Sequence, residues 1–170
     1  MRWVVLSDLH MNFKNCTTIT ARNKLIETLK KENDDGEISF VLITGDCLHQ
    51  NKGNVKAVAE YIKQIADACG IGVNKVILCP GNHDINRTIK LRNAAIKIYR
   101  NNGTLPQLEK CLEGYGNFKE LYTLLYGDIY EPFSEKIIDN FRIISIDSCL
   151  LSMDDRDYGN LAVNFINLAE

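Results

Sequence analysis

One stretch decides the fold: residues 76–84 are Val-Ile-Leu-Cys-Pro-Gly-Asn-His-Asp. The first three are β-branched or aliphatic without polar alternation, which is typical of a strand buried on both faces. Pro80-Gly81 then favours a turn. That turn presents an amide, an imidazole and a carboxylate together, from Asn82, His83 and Asp84. The stretch therefore predicts a buried strand with polar side chains at its carboxyl end.

Two earlier segments repeat this arrangement. Residues 3–6 and 38–43 are apolar runs of the same kind. The first leads into Ser7-Asp8-Leu9-His10, and the second leads into Thr44-Gly45-Asp46. We expect the three runs to be neighbouring central strands, each buried on both faces, of a parallel sheet.

Helices are expected between and after these strands. Apolar residues at helical spacing predict helices over 18–31 and 54–69, so the fold class is α/β with strand-helix-strand units. Residues 89–126 are predicted to form a helical insertion or cap, interrupted near Gly103 and Gly114. Its recurring tyrosines favour a place in the core over base stacking.

The last part of the chain returns to strand character. Residues 136–138 and 142–146 predict two strands joined by a tight turn at Asp139-Asn140, and 161–169 predicts a final helix. Asp147 and Ser148 follow the second of these strands. Either they end the strand in a turn or they line the site, and the sequence leaves both interpretations open.

The polar residues at the strand ends have the chemistry of metal ligands. Asp8 and His10 stand two apart after a strand, so their side chains can point to one side, and Asp46 offers a carboxylate that can bridge two cations. Open α/β sheets bind ligands outside the carboxyl ends of their strands. Mixed oxygen and nitrogen ligands suit Mn²⁺, Fe²⁺ or Zn²⁺. A hydrolytic metal centre is the natural inference.

Composition narrows the class of protein. The chain has 170 residues, of which 45% are hydrophobic, so it is long enough for one domain. The chain has a net charge of -2, so it lacks the excess of basic residues typical of a protein that binds nucleic acid through its phosphates. Nucleic acid remains open as a substrate. Six cysteines without a Cys-x-x-Cys pair predict reduced thiols, and no apolar run approaches the length of a membrane span. We expect a soluble, cytoplasmic protein.

The three motifs resemble the first three motifs of the calcineurin-like metallophosphoesterases in order, strand context and spacing. The resemblance implies a sheet sandwich flanked by helices, represented here by its N-terminal portion. It also implies two divalent metal ions, Mn²⁺ being the first expectation and Fe²⁺ or Zn²⁺ the alternatives. By this resemblance Asp8 and His10 bind the first metal, Asp46 bridges both, and Asn82 binds the second through its amide oxygen.

The same resemblance implies catalytic roles for the last two residues of the motif. His83 contacts the phosphate and protonates the leaving oxygen without binding metal directly, and Asp84 orients the ring of His83. A helix N-cap before residues 85–91 is the competing interpretation of Asp84.

The chain also departs from the family pattern. The family completes its site with three further histidines, yet this sequence has three histidines in total, and two of them are His10 and His83. The third, His49, is interpreted as a solvated loop residue. We therefore expect residues 1–170 to be a metallophosphoesterase domain truncated before the late motifs, part of a longer protein. Apolar surface left without partner strands would favour a homo-oligomer.

Three functions remain open at this stage. The first is a metal-dependent phosphoester hydrolase, a phosphodiesterase or phosphomonoesterase that uses a metal-activated water. The second is a DNA or RNA nuclease of the same superfamily, and the third is a catalytically incomplete binding or regulatory module. A phosphate-binding role is conceivable for Arg87, Lys90 and Arg92, but an exposed helical face is the favoured interpretation.

Overall fold

The computed structural model describes residues 1–11, 16–48, 53–102 and 108–154. Its strands and helices confirm the α/β fold class. Both His49 and the final helix predicted over 161–169 lie outside the described residues.

A parallel sheet of three strands forms the centre of the fold, in the order β1-β2-β3. These strands are β1 (Arg2–Leu6), β2 (Ile38–Ile43) and β3 (Val76–Leu78). Their registers align Leu6 with Ile43 and Ile43 with Leu78, so all three strands end at the same edge. The strand-end motifs are therefore brought together, as their positions in the sequence predict.

Two helices connect the strands, α1 (Cys16–Asp34) and α2 (Val55–Ala68). The side chain of Asn54 caps α2 by accepting a hydrogen bond from the amide of Ala57, which satisfies one donor of the first helical turn. Val58, Ile62 and Ile65 lie four and three residues apart and are fully buried in the main core. This helical face covers one side of the sheet.

The other side of the sheet is covered only in part. A hairpin of β4 (Phe133–Ile138) and β5 (Phe141–Ile146) turns at Asp139, which has a φ of 53°, and Ile138 packs with Phe40 and Ile77. Trp3 and Val5 of β1 remain 52% and 55% exposed. The prediction that each strand is buried on both faces is therefore correct for β2 and β3 and wrong for β1. The reason is that the hairpin packs apolar residues against β2 and β3.

Helices also occupy most of residues 90–126. They are α3 (Lys90–Asn102), α4 (Leu108–Cys111) and α5 (Gly116–Tyr126), with a 3-10 turn over Leu112–Tyr115. Tyr99, Tyr115 and Phe118 are buried in the main core, so the aromatic residues do serve packing. We call residues 90–126 the helical segment. That it is an insertion or cap within the domain stays a prediction.

Arg92 corrects one expectation from the sequence. Lys90 is exposed and Arg87 is half-buried, but Arg92 is fully buried. An exposed basic face for all three is therefore wrong.

Among the described residues, no helix has both the length and the apolar character that crossing a bilayer requires.

Candidate metal centre

Backbone pairing continues past the ends of β1 and β2 and fixes the first two motifs in register. The amide of Asp8 donates to the carbonyl of Gly45 over 3.2 Å, and the amide of His10 donates to the carbonyl of Asp46 over 2.8 Å. Asp8, His10 and Asp46 have φ angles of 57°, 37° and 54°. Such angles cost on the order of 1 kcal/mol or more for a residue with a side chain, and they cluster at functional sites. The predicted ligands thus lie on strained but well-anchored backbone.

Close contact between two glycines joins the second motif to the third. Gly45 has a φ of 127°, and a Cβ built on it would lie 2.9 Å from the Cα of Gly81. A Cβ on Gly81 would collide with the side chain and amide nitrogen of Asp46. Glycine is therefore required at both positions if the two loops are to approach each other.

Replacing Gly81 with alanine is expected to displace Asp46 and to lower the free energy of unfolding by about 2 kcal/mol, the range of overpacking in a tight site. Urea denaturation of the Gly81→Ala variant measures the change. Gly116→Ala is the matched control, because no heavy atom lies within 4 Å of a Cβ at Gly116 in α5. Equal stability of the two variants would contradict the packing argument.

Four of the predicted side chains converge at this edge of the sheet. One ligand atom each from His10, Asp46 and His83 lies within 4.8 Å of the others. The Nε2 atom of His10 is 3.9 Å from Oδ2 of Asp46 and 3.8 Å from Oδ1 of Asp8. Two donors bound to one ion at about 2.1 Å each can lie at most about 4.2 Å apart. Both separations therefore fit a shared cation.

Further contacts involve Asp8, His10 and His83, and the position of Asn82 is given by its place in the chain. Ser7 donates its hydroxyl to Asp8, whose side chain is 68% exposed. The rings of His10 and His83 meet edge to face with centroids 4.8 Å apart, and the amide of His83 donates to Oδ1 of Asp46 over 2.9 Å. Asn82 is half-buried and begins the short 3-10 helix Asn82–Asp84. The ligand atom of His83 lies within 4.8 Å of those of His10 and Asp46, and the exclusion of His83 from the metal stays a prediction.

Asp84 is fully buried and joins the second and third motifs through its carboxylate. Its Oδ1 accepts from the amide of Leu48 over 2.6 Å, while Oδ2 accepts from the amides of Cys47 and Gly81 over 3.2 and 2.8 Å. Burial raises the pKa of Asp84 to about 6, against the lowering effect of these three amides; the charge of Asp46 adds to the rise. Because α3 begins only at Lys90, an N-cap of a helix over 85–91 is wrong. The orienting role toward His83 stays a prediction.

Asp147 does not line the site. It is buried and accepts hydrogen bonds from the hydroxyls of Tyr115 and Tyr130 over 2.6 and 2.9 Å, which favours the strand-ending interpretation. The loop that follows does come near the site. Burial chiefly raises the pKa of the Cys149 thiol to about 11, with Asp147 the next cause and the charges of Asp46 and Asp84 adding to it. Asp147 and Ser148 of this loop stand out in the sequence, but Cys149 does not, because it belongs to no motif.

Comparison with known proteins agrees with this geometry. A family model described as calcineurin-like phosphoesterase matches residues 1–160. The chain is also 29% identical over 172 residues to an uncharacterized metallophosphoesterase-like protein YydB of Bacillus subtilis (strain 168). That match covers 95% of this chain and 36% of the relative, so the chain spans about a third of the relative's length.

Proposed function

Because the chain belongs to the calcineurin-like phosphoesterase family, we propose that the protein containing it is a metal-dependent phosphoester hydrolase with a dinuclear centre. One observation carries the proposal: the ligand atoms of His10, Asp46 and His83 converge within 4.8 Å where three parallel strands end. The nitrogen and carboxylate donors suit Mn²⁺, Fe²⁺ and Zn²⁺, and we propose Mn²⁺ first from the family resemblance. A hydrolase acting on ester bonds is the reaction class that this donor set supports best.

The proposed roles are those that membership of the family implies for the residues of the three motifs. Asp8 and His10 bind the first metal, Asp46 bridges to the second, and Asn82 contributes its amide oxygen there. When bound, two cations polarise phosphoryl oxygens and lower the pKa of a coordinated water. Asp46 is suited to a shared position because its carboxylate lies between His10 and the amide of His83. Backbone hydrogen bonds past the strand ends hold these residues in fixed positions, which such roles require.

His83 and Asp84 are proposed to act on the leaving group. His83 contacts the phosphate and passes a proton to the leaving oxygen. Asp84 acts through the turn, because its carboxylate binds the amide of Gly81 at the start of Asn82–Asp84. Three backbone amides fix that carboxylate, so the turn that carries His83 keeps its position against the loop after Asp46.

Substrate, assembly and location are further parts of the proposal. The substrate is a phosphomonoester or phosphodiester, with nucleic acid as an alternative diester. Exposed Trp3 and Val5, together with Ile137, Ile144 and Ile146 on the outer face of the hairpin, support either a homo-oligomer or packing against the rest of a longer chain. A cytoplasmic location is supported by the free thiols of Cys47, Cys69, Cys79, Cys111 and Cys149.

Metal removal tests the proposed activity. We expect the full-length protein to hydrolyse bis(p-nitrophenyl) phosphate, to lose at least about 90% of the rate after chelation, and to recover it with Mn²⁺. Release of p-nitrophenol measures the rate, and parallel additions of Zn²⁺ and Fe²⁺ rank the metals. Plasmid DNA as a second substrate separates a nuclease from an enzyme for small esters. A protein that binds Mn²⁺ but hydrolyses none of these substrates would be the incomplete binding module instead.

A further inference from the structure

Arg92 is a fully buried arginine whose guanidinium binds main-chain oxygens on two separate segments. Its Nε donates to the carbonyl of Cys111 over 2.9 Å, within the helical segment. Its Nη1 and Nη2 donate to the carbonyls of Ser152 and Leu150 over 2.7 and 2.9 Å, in the loop after β5. A planar fork with several fixed donors is what arginine offers and lysine lacks. Arg92 therefore ties the helical segment to that loop.

A second set of contacts ties the same two parts together. Tyr115 of the helical segment donates its hydroxyl to Asp147, at the start of the loop, and Asp147 in turn accepts from the amide of Cys149 over 2.8 Å. The guanidinium of Arg92 lies 6.0 Å from the centre of the Tyr115 ring. Burial of these groups strengthens each polar contact and makes the loss of one partner costly.

The helical segment also touches the turn that follows the third motif. The amide of Asn86 donates to the carbonyl of Gly114 over 2.9 Å. A Cβ on Gly114 would lie 2.8 Å from both the carbonyl oxygen of Asn86 and Cδ of Arg92. The helical segment thus contacts both the loop after β5 and the turn that follows the third motif, with Arg92 at the contact.

The loop after β5 packs into the same core as the chain that follows Asp46. Leu150 and Leu151 share the main core with Cys47 and Leu48, which directly follow Asp46. Charges of Asp46 and Asp84 contribute to the raised pKa of the Cys149 thiol. Ser148 is exposed in the same loop and can meet a bound molecule.

We propose that Arg92 is a positioning residue through which the helical segment sets the place of loop residues 147–152 beside the metal centre and thereby tunes substrate binding. Its effect on catalysis rests on the proposed hydrolase function, whereas its effect on the loop does not. We assign groups of this loop to substrate binding and none of them to the predicted metal set, so substrate affinity should change more than turnover.

Steady-state kinetics of an Arg92→Lys variant of the full-length protein test the proposed effect on substrate binding. We expect KM for bis(p-nitrophenyl) phosphate to rise about tenfold and kcat to change less than about twofold, the pattern of lost substrate binding. Mn²⁺ binding should remain unchanged. Arg142→Lys is the control, because Arg142 is exposed and pairs only with Glu135 among the described residues. A KM equal to that of the control would overturn the proposal.

Thiol labelling tests the loop whether or not the protein hydrolyses anything. Cys149 is partly exposed, while Cys47 and Cys69 are buried and serve as internal controls. With N-ethylmaleimide and mass spectrometry, Arg92→Lys should raise the labelling rate of Cys149 at least about fivefold and leave both controls unchanged, since local opening differs from global unfolding. Faster labelling of all three cysteines, or of none, would overturn the proposal.

A milder variant keeps the proposal testable if Arg92→Lys does not fold. Tyr115→Phe removes only the hydroxyl bonded to Asp147, which keeps its bond to Tyr130. We expect the same selective rise at Cys149, about twofold, because one of two hydroxyl donors remains. If Arg92→Lys fails to fold, an unchanged Cys149 rate in Tyr115→Phe overturns the proposal by itself. An absent hydrolytic rate in the wild type would count against the proposed function alone.

Discussion

Asp46→Asn is expected to lower kcat/KM for bis(p-nitrophenyl) phosphate by at least about 100-fold, since even partners that merely support metal ligands are worth about 10- to 100-fold. Asparagine suits the position in other respects. It tolerates the φ of 54° better than other residues do, and its amide oxygen can still accept from the amide of His83. The variant therefore removes the bridging charge while preserving the local fold. Release of p-nitrophenol by the full-length protein gives the rate.

Two measurements make this test specific to the charge of Asp46. Asp35→Asn carries the same chemical change at an exposed position after α1 and should retain full activity. Mn²⁺ titration should show weaker binding in Asp46→Asn than in this control. Equal rates in the two variants would remove Asp46 from the metal site, and with it the proposed dinuclear centre.

Most of the site could be predicted from the sequence because its determinants are local. Asp8, His10, Asp46 and His83 all lie in the loops that follow apolar strands, and parallel strands that are neighbours end at the same edge. Pairing between the loops extends this order by backbone hydrogen bonds that any sequence can make. Strand ends and adjacent motifs were therefore sufficient to bring the ligands together.

The errors concern contacts between residues far apart in the chain. Arg92 looks like an exposed cation within its helix, but two of its partners lie in a loop about sixty residues later. Trp3 belongs to an apolar run like those of β2 and β3, yet the hairpin leaves it exposed. Local periodicity reports which side of an element is apolar, and it does not report which later segment arrives to cover it.

Asp84 illustrates the same limit, because its partners Cys47 and Leu48 lie far from it in sequence. We expect Asp84→Asn to lower the free energy of unfolding of the chelated protein by about 3 kcal/mol near pH 4. Three backbone amides point at the two carboxylate oxygens, so an amide nitrogen in either place opposes a donor with another donor. Asp139→Asn, the same change at an exposed turn, should have little effect.

The difference in the free energy of unfolding between Asp84→Asn and wild type should become smaller as pH rises. Burial raises the pKa of Asp84 from 3.8 to about 6 in the folded protein. Folding therefore favours the protonated acid, and wild-type stability from this group is greatest below about pH 4 and falls by about 3 kcal/mol by about pH 8. Asparagine cannot ionise, so the stability of the Asp84→Asn variant does not decrease in this way. Urea denaturation of both chelated proteins between these pH values measures the gap, and a gap that widens with pH would show that the buried carboxylate prefers its charged form.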